Sequence, residues 1–89
     1  MKIKFSKKLR KQYHKSDAKI REVFEKRLQM FMKDPFDPVL NNHQLTGNLK
    51  GYRSINITGD WRALYSAHIL GSKKIIVFEM LGKHSQLYR

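Results

Sequence analysis

Pro35 and Pro38 are the only two prolines in this 89-residue chain, and they split it into halves with different periodicities. Proline fixes its own φ, lacks an N–H and pushes the residue before it out of the helical region, so no helix crosses this point. Before it, Ile20, Val23, Phe24, Leu28 and Phe31 recur at spacings of three and four, which predicts an amphipathic helix ending at Asp34. Ser16 and Asp17 supply its cap. A shorter helix precedes it: Ser6 caps it, Leu9 and Tyr13 share one face, and it stops near His14. Ahead of both, Lys2 to Phe5 alternates charged with apolar residues and reads as a short strand.

Behind the prolines the period changes to two. From Tyr52 to Ile57, Ile55 and Ile57 face one way and Ser54 and Asn56 the other, as in a strand covered on one face only. Thr58-Gly59 closes a hairpin into a second strand, Trp61 to Ala67. A turn around Gly71-Ser72 leads to a third, Lys74 to Leu81, whose IIVF centre predicts burial and which Gly82 ends. The last six residues, HSQLYR, are too short for an element and are expected to lie back over the sheet. The expected fold is α+β, with two N-terminal helices packed on one face of a largely antiparallel four-stranded sheet, forming one domain over residues 1–89.

Charge restricts the function. Nineteen Lys and Arg against seven Asp and Glu give a net charge of +12, which points to a polyanionic partner. Nucleic acid, an acidic protein and an anionic membrane all satisfy that charge. With no cysteine, disulfides and thiolate metal sites are excluded. No apolar run approaches the length of a membrane span, and MKIKFSKKLRK lacks the apolar segment of a signal peptide, so a cytoplasmic protein is expected.

The stretch His43 to Trp61, HQLTGNLKGYRSINITGDW, concentrates turn formers and basic groups. Two imidazoles and a carboxylate, His43, Asp60 and His84, are groups that move protons near neutral pH. From the residues alone they read first as a loop cap, a hairpin-orienting acid and a solvated turn residue. Their spacing matches no compact metal motif, so no metal or other cofactor is expected. Lys50, Arg53, Arg62 and Lys83 can grip phosphates, and Trp61 with Tyr88 can stack bases beside them, the mixture used in single-stranded RNA sites. The alternative is a solvated basic face over core aromatics. His14 and His68 read as ordinary helix-end and strand-end residues.

Taken in order, His43-x-Leu45-x-Gly47, Gly51-Tyr52-Arg53, Gly59-Asp60-Trp61-Arg62 with Tyr65, and Gly82-Lys83-His84-Ser85-x-Leu87-Tyr88 resemble the RelE/ParE toxin superfamily, and most of all its YafQ branch. The resemblance implies a small basic α+β toxin of a type II toxin-antitoxin pair. In the RelE and YafQ branches such toxins cleave messenger RNA in the ribosomal A site without a metal, whereas the ParE branch poisons DNA gyrase. It also implies that His43, Asp60 and His84 are the catalytic histidines and acid, and that Tyr88 is the terminal aromatic of the carboxy-terminal motif. Where YafQ-like proteins carry a further histidine, this chain has Asn56, which hydrogen-bonds but does not exchange a proton near neutral pH.

The expected partners are therefore a cognate acidic antitoxin, forming a hetero-oligomer, and the ribosome with its messenger RNA. The expected chemistry assigns proton transfer to His84 with Asp60 or His43, phosphate stabilisation to Arg53 and Lys50, and stacking to Trp61 and Tyr88. A gyrase-directed toxin and a plain RNA- or ribosome-binding module are the rival readings.

Overall fold

The computed structural model describes residues 1–88. Strand β1 (Lys2–Phe5) is followed by helices α1 (Lys7–Lys15) and α2 (Ala18–Lys33), then by β2 (His43–Gln44), β3 (Arg53–Asn56), β4 (Trp61–Leu70), β5 (Lys73–Lys83) and a terminal helix α3 (His84–Leu87). Short 3-10 turns at Pro38–Leu40 and Gly47–Leu49 flank β2.

The helix boundaries follow from the caps. Ser6 Oγ accepts from the Leu9 N–H at 3.0 Å and donates to the Glu79 carbonyl at 2.9 Å, so one hydroxyl both starts α1 and fastens it to β5. Asp17 accepts from the Ile20 N–H at 2.9 Å to start α2, and Asp34 ends it before Pro35.

The five strands are ordered β1-β5-β4-β3-β2, with β1 parallel to β5 and every other pair antiparallel. Leu9, Phe24 and Phe31 from the helices pack against Ile55, Ile57, Ala63, Tyr65, Ile76, Phe78 and Leu81 of the sheet. Phe31 and Phe78 meet edge to face with centroids 5.3 Å apart. Each fully buried aromatic of this kind contributes roughly 1.5–3 kcal/mol relative to exposure. The helices thus occupy one face of the sheet, as expected.

Four features depart from the sequence reading. A fifth strand, β2, pairs His43 with Ser54 and Gln44 with Arg53. It has only two residues, and no periodicity can announce a strand that short. Strand β4 runs on to Leu70, so His68 lies within it rather than at its end. Gly82 does not end β5. It is buried opposite Arg62 in the ladder, and a Cβ there would stand 3.3 Å from both Gln86 Oε1 and Leu87 Cδ2. Gly82 is therefore where α3 folds against the strand. The HSQL segment is helical, because the Lys83 N–H donates to Gln86 Oε1 and the Tyr88 N–H closes on the His84 carbonyl.

Candidate active site

Strand alternation assigns the site residues to faces. Counting from Ile55 and Ile57 in the core, Ser54 and Asn56 point to the helix-free face, together with their cross-strand partners His43, Leu64 and Arg62. Helix α3 covers part of this face. Tyr88 Oη donates to Ser54 Oγ at 2.7 Å, and Ser54 is fully buried although the sequence placed it on an open face. The Tyr88 ring also lies 4.4 Å from the His84 ring, the i,i+4 neighbour on the same side of α3.

Asp60 joins the group through the backbone. Its carbonyl accepts the His84 N–H at 2.8 Å, so the hairpin tip and the start of α3 are bound directly together. The tip is itself held by two side chains. Thr58 Oγ1 accepts from the Trp61 N–H at 3.1 Å, and Arg62 Nη1 donates to the carbonyls of Thr58, Gly59 and Trp61 at 3.0–3.2 Å. Arg62 thus clamps the turn that carries Asp60 through Nη1.

The fold therefore brings His43, Asp60, His84 and Tyr88 around Ser54 and Asn56. His43 is exposed, with Nδ1 2.8 Å from the Asn41 carbonyl. Asn56 Oδ1 is buried and has no hydrogen-bond partner among the described residues.

Arg53 is not part of this group. It shares the Ile55 face, where Nε donates to Asn42 Oδ1 at 2.8 Å and the guanidinium lies 5.3 Å over the Phe36 ring. Asn42 in turn donates to the Pro35 carbonyl at 2.9 Å and to Tyr65 Oη at 2.7 Å. The expected role of Arg53, stabilising the phosphate on which His84 acts, gains no support from this geometry: alternation turns Arg53 to the Ile55 face, opposite Ser54, to which Tyr88 of α3 is bonded. Trp61 is also on the core side. It packs half-buried against the core beneath α1, with Lys83 as its cross-strand partner. Lys50 is exposed at the end of the Gly47–Leu49 turn, and Lys83 is exposed at the start of α3.

Sequence reasoning missed Ser54 and Asn42 as organisers. Ser54 carried a usable signal, a small hydroxyl on the polar side of a strand two residues before Asn56. Asn42 carried none, since its partners are distant in sequence. Among the described residues, no three His, Asp or Glu side chains are grouped to hold a metal ion.

Along residues 1–89 the chain matches the family described as the bacterial toxin of type II toxin-antitoxin systems, YafQ. It belongs to the YafQ toxin family. The mRNA interferase toxin YafQ of Escherichia coli strain K12 is 33% identical over 54 residues, which is 61% of this chain and 54% of that protein, so the alignment spans about half of the relative's length. Among solved structures, the DinJ–YafQ toxin-antitoxin complex of E. coli is similar, with a TM-score of 0.64 and 27% identity over 98% of this chain and 96% of that one. A YoeB/ParE toxin from Agrobacterium tumefaciens superposes with a TM-score of 0.75 over 94% of this chain and 99% of that one. At 23% identity this second likeness speaks for the fold alone. The YafQ-family motifs that carry the resemblance, around His43, Asp60 and His84, are the segments the sheet and α3 bring together.

Proposed function

We propose that this YafQ-family chain is a metal-free endoribonuclease that cleaves messenger RNA on the ribosome and is held inactive by a cognate acidic antitoxin. The observation that carries the reading is the His84 arrangement: its backbone N–H is bound to the Asp60 carbonyl, its ring rests on Tyr88, and Tyr88 is bonded to Ser54 on the face free of α1 and α2. The name of the E. coli relative, an mRNA interferase toxin, supports the same chemistry.

In that reaction the 2′-OH attacks the adjacent phosphorus. Its proton passes to a base, the P–O5′ bond breaks, and the leaving 5′-oxygen takes a proton from an acid. His84 supplies one of these transfers and Asp60 or His43 the other. Lys50 and Lys83 draw the phosphate backbone to the cleft. Arg62 acts indirectly, by fixing the Asp60 turn. Tyr88 acts through His84, since both its ring and its hydroxyl are engaged within the protein.

A net charge of +12 favours an acidic antitoxin, and the E. coli relative is found in complex with DinJ. No helix among the described residues is long and apolar enough to cross a membrane, and a single cytoplasmic domain over residues 1–89 accords with the proposed ribosomal target.

The rival reading, a non-catalytic ParE-like toxin acting on gyrase or a plain ribosome-binding module, draws on Asn56 standing where a histidine is expected. Induction in cells, with mapping of messenger RNA 5′ ends and scoring of gyrase-linked DNA breaks in parallel, separates them. New 5′ ends within coding regions support cleavage; DNA breaks without them overturn it. Co-expression with the neighbouring open reading frame tests the antitoxin, because a protein that binds the native state co-purifies with it and raises its stability.

A further inference from the structure

A groove of about 680 Å³ lies between α1 and α3, lined by residues of both. One wall is α1, which presents Lys8, Gln12 and Lys15 at helical spacing; Leu49, Trp61 and Leu87 also line the groove. Gln12 Oε1 accepts the Leu81 N–H at 2.8 Å, which pins this wall to β5 and fixes the width of the groove. Its volume is within the range of small-ligand sites.

Two features define what fits. The lining holds two lysines and no acidic side chain, and the half-buried indole offers an aromatic surface beside Leu49, Leu81 and Leu87. A flat ring carrying an anionic substituent satisfies both, the ring on Trp61 and the anion at Lys8 and Lys15. The groove adjoins the cleft through α3 and along the chain: Gln86 and Leu87 of α3 line it, Trp61 follows Asp60 directly, and the Asp60 carbonyl accepts the backbone N–H of His84 at the start of α3.

We propose that this groove is a subsite for one nucleotide flanking the cut, its base stacked on Trp61 and its phosphate held by Lys8 and Lys15. The proposal rests on the endoribonuclease reading. A strand bound across His84 passes over α3 and sets a neighbouring base into the groove, so α1, remote from the chemistry, contributes to holding the substrate.

Trp61 is the sole tryptophan, which makes it a reporter for its own groove. Titration of the full chain with a short 2′-O-methyl oligoribonucleotide, which cannot be cut, is expected to change Trp61 fluorescence saturably. Lys8→Gln with Lys15→Gln is expected to lower the magnitude of the log-affinity against log-salt slope by about 1.4, the contribution of two phosphate contacts on a single strand. Trp61→Leu, with the fold checked by circular dichroism, is expected to weaken binding roughly 5- to 150-fold, as measured by the anisotropy of labelled RNA.

RNA that binds by anisotropy yet leaves Trp61 fluorescence unchanged overturns the subsite without touching the nuclease reading. A response to a poly-glutamate peptide but not to RNA also overturns it and makes the groove a protein-docking surface. A Trp61 response in a chain that produces no cleavage of ribosomal messenger RNA overturns the nuclease reading, and with it the placement beside a cut, while the groove stands as a nucleotide-binding site.

Discussion

The Tyr88 hydroxyl donates a 2.7 Å hydrogen bond to the fully buried Ser54 Oγ, while its ring leans on His84. A four-residue helix such as α3 has no independent stability, because helix nucleation is costly and the segment is too short to recover that cost. This bond and the His84 N–H to the Asp60 carbonyl are what anchor it to the sheet. Tyr88 is accordingly a positioning residue for His84.

Tyr88→Phe keeps the ring and removes the latch. The loss of one such bond costs about 1 kcal/mol, and up to about 3 kcal/mol where the partner is left unsatisfied. In a domain of this size that lowers Tm by roughly 4–8 °C per kcal/mol. The turnover of cleavage is expected to fall with KM nearly unchanged. Because Ser54→Ala breaks the same bond, the two substitutions combine with less than additive effect on Tm. Full additivity in a double-mutant cycle would show that the bond contributes nothing.

His84→Ala is expected to lower the cleavage rate by about 10²–10⁴ while ribosome binding stays close to the parent, since proton transfer is worth that much and one imidazole adds little to binding a polyanion. The measurement is cleavage of messenger RNA on programmed ribosomes alongside co-sedimentation. Cutting at the parental rate, with the fold intact by circular dichroism, removes His84 from the chemistry.

Lys50 and Arg53 are expected to part company in a salt titration. Lys50→Gln should lower the magnitude of the RNA-binding salt slope by about 0.7, because Lys50 is exposed and able to displace a counterion. Arg53→Gln should leave the slope unchanged and lower Tm, because its guanidinium is engaged with Asn42 and Phe36 on the helix side. An equal fall in slope for both would mean that Arg53 leaves this network to reach the RNA.

Asn56→His introduces an imidazole on the face that already carries His43 and Tyr88, at the position whose present acceptor, Oδ1, is buried without a partner among the described residues. The cleavage rate is expected to rise. A rate that stays level or falls, at unchanged Tm, would show that the existing groups complete the proton transfer and that Asn56 is no deficit.

Much of this architecture is local and therefore legible in the order of residues. Ser6, Asp17 and the Asp34-Pro35 pair bound the helices because capping and proline sterics act within three or four positions. The period-two runs give β3, β4 and β5, and the glycine-flanked motifs mark the segments that form the cleft. The orientation of Arg53 is local as well, since it stands two residues before Ile55 and shares its face.

What the sequence could not decide are contacts made across long chain separations. Strand β2 exists because His43 and Gln44 pair with an edge, not because their own residues favour a strand. Ser54 is buried and bonded to Tyr88, which returns to it from 34 positions away. Arg62 becomes a turn clamp once the hairpin presents three carbonyls to its Nη1. Sequence sets which groups are available, through propensities that act within a few residues. The tertiary fold alone sets which of those groups face one another, because packing of the sheet against α1, α2 and α3 fixes which side of each strand is covered and which side chains are already spent.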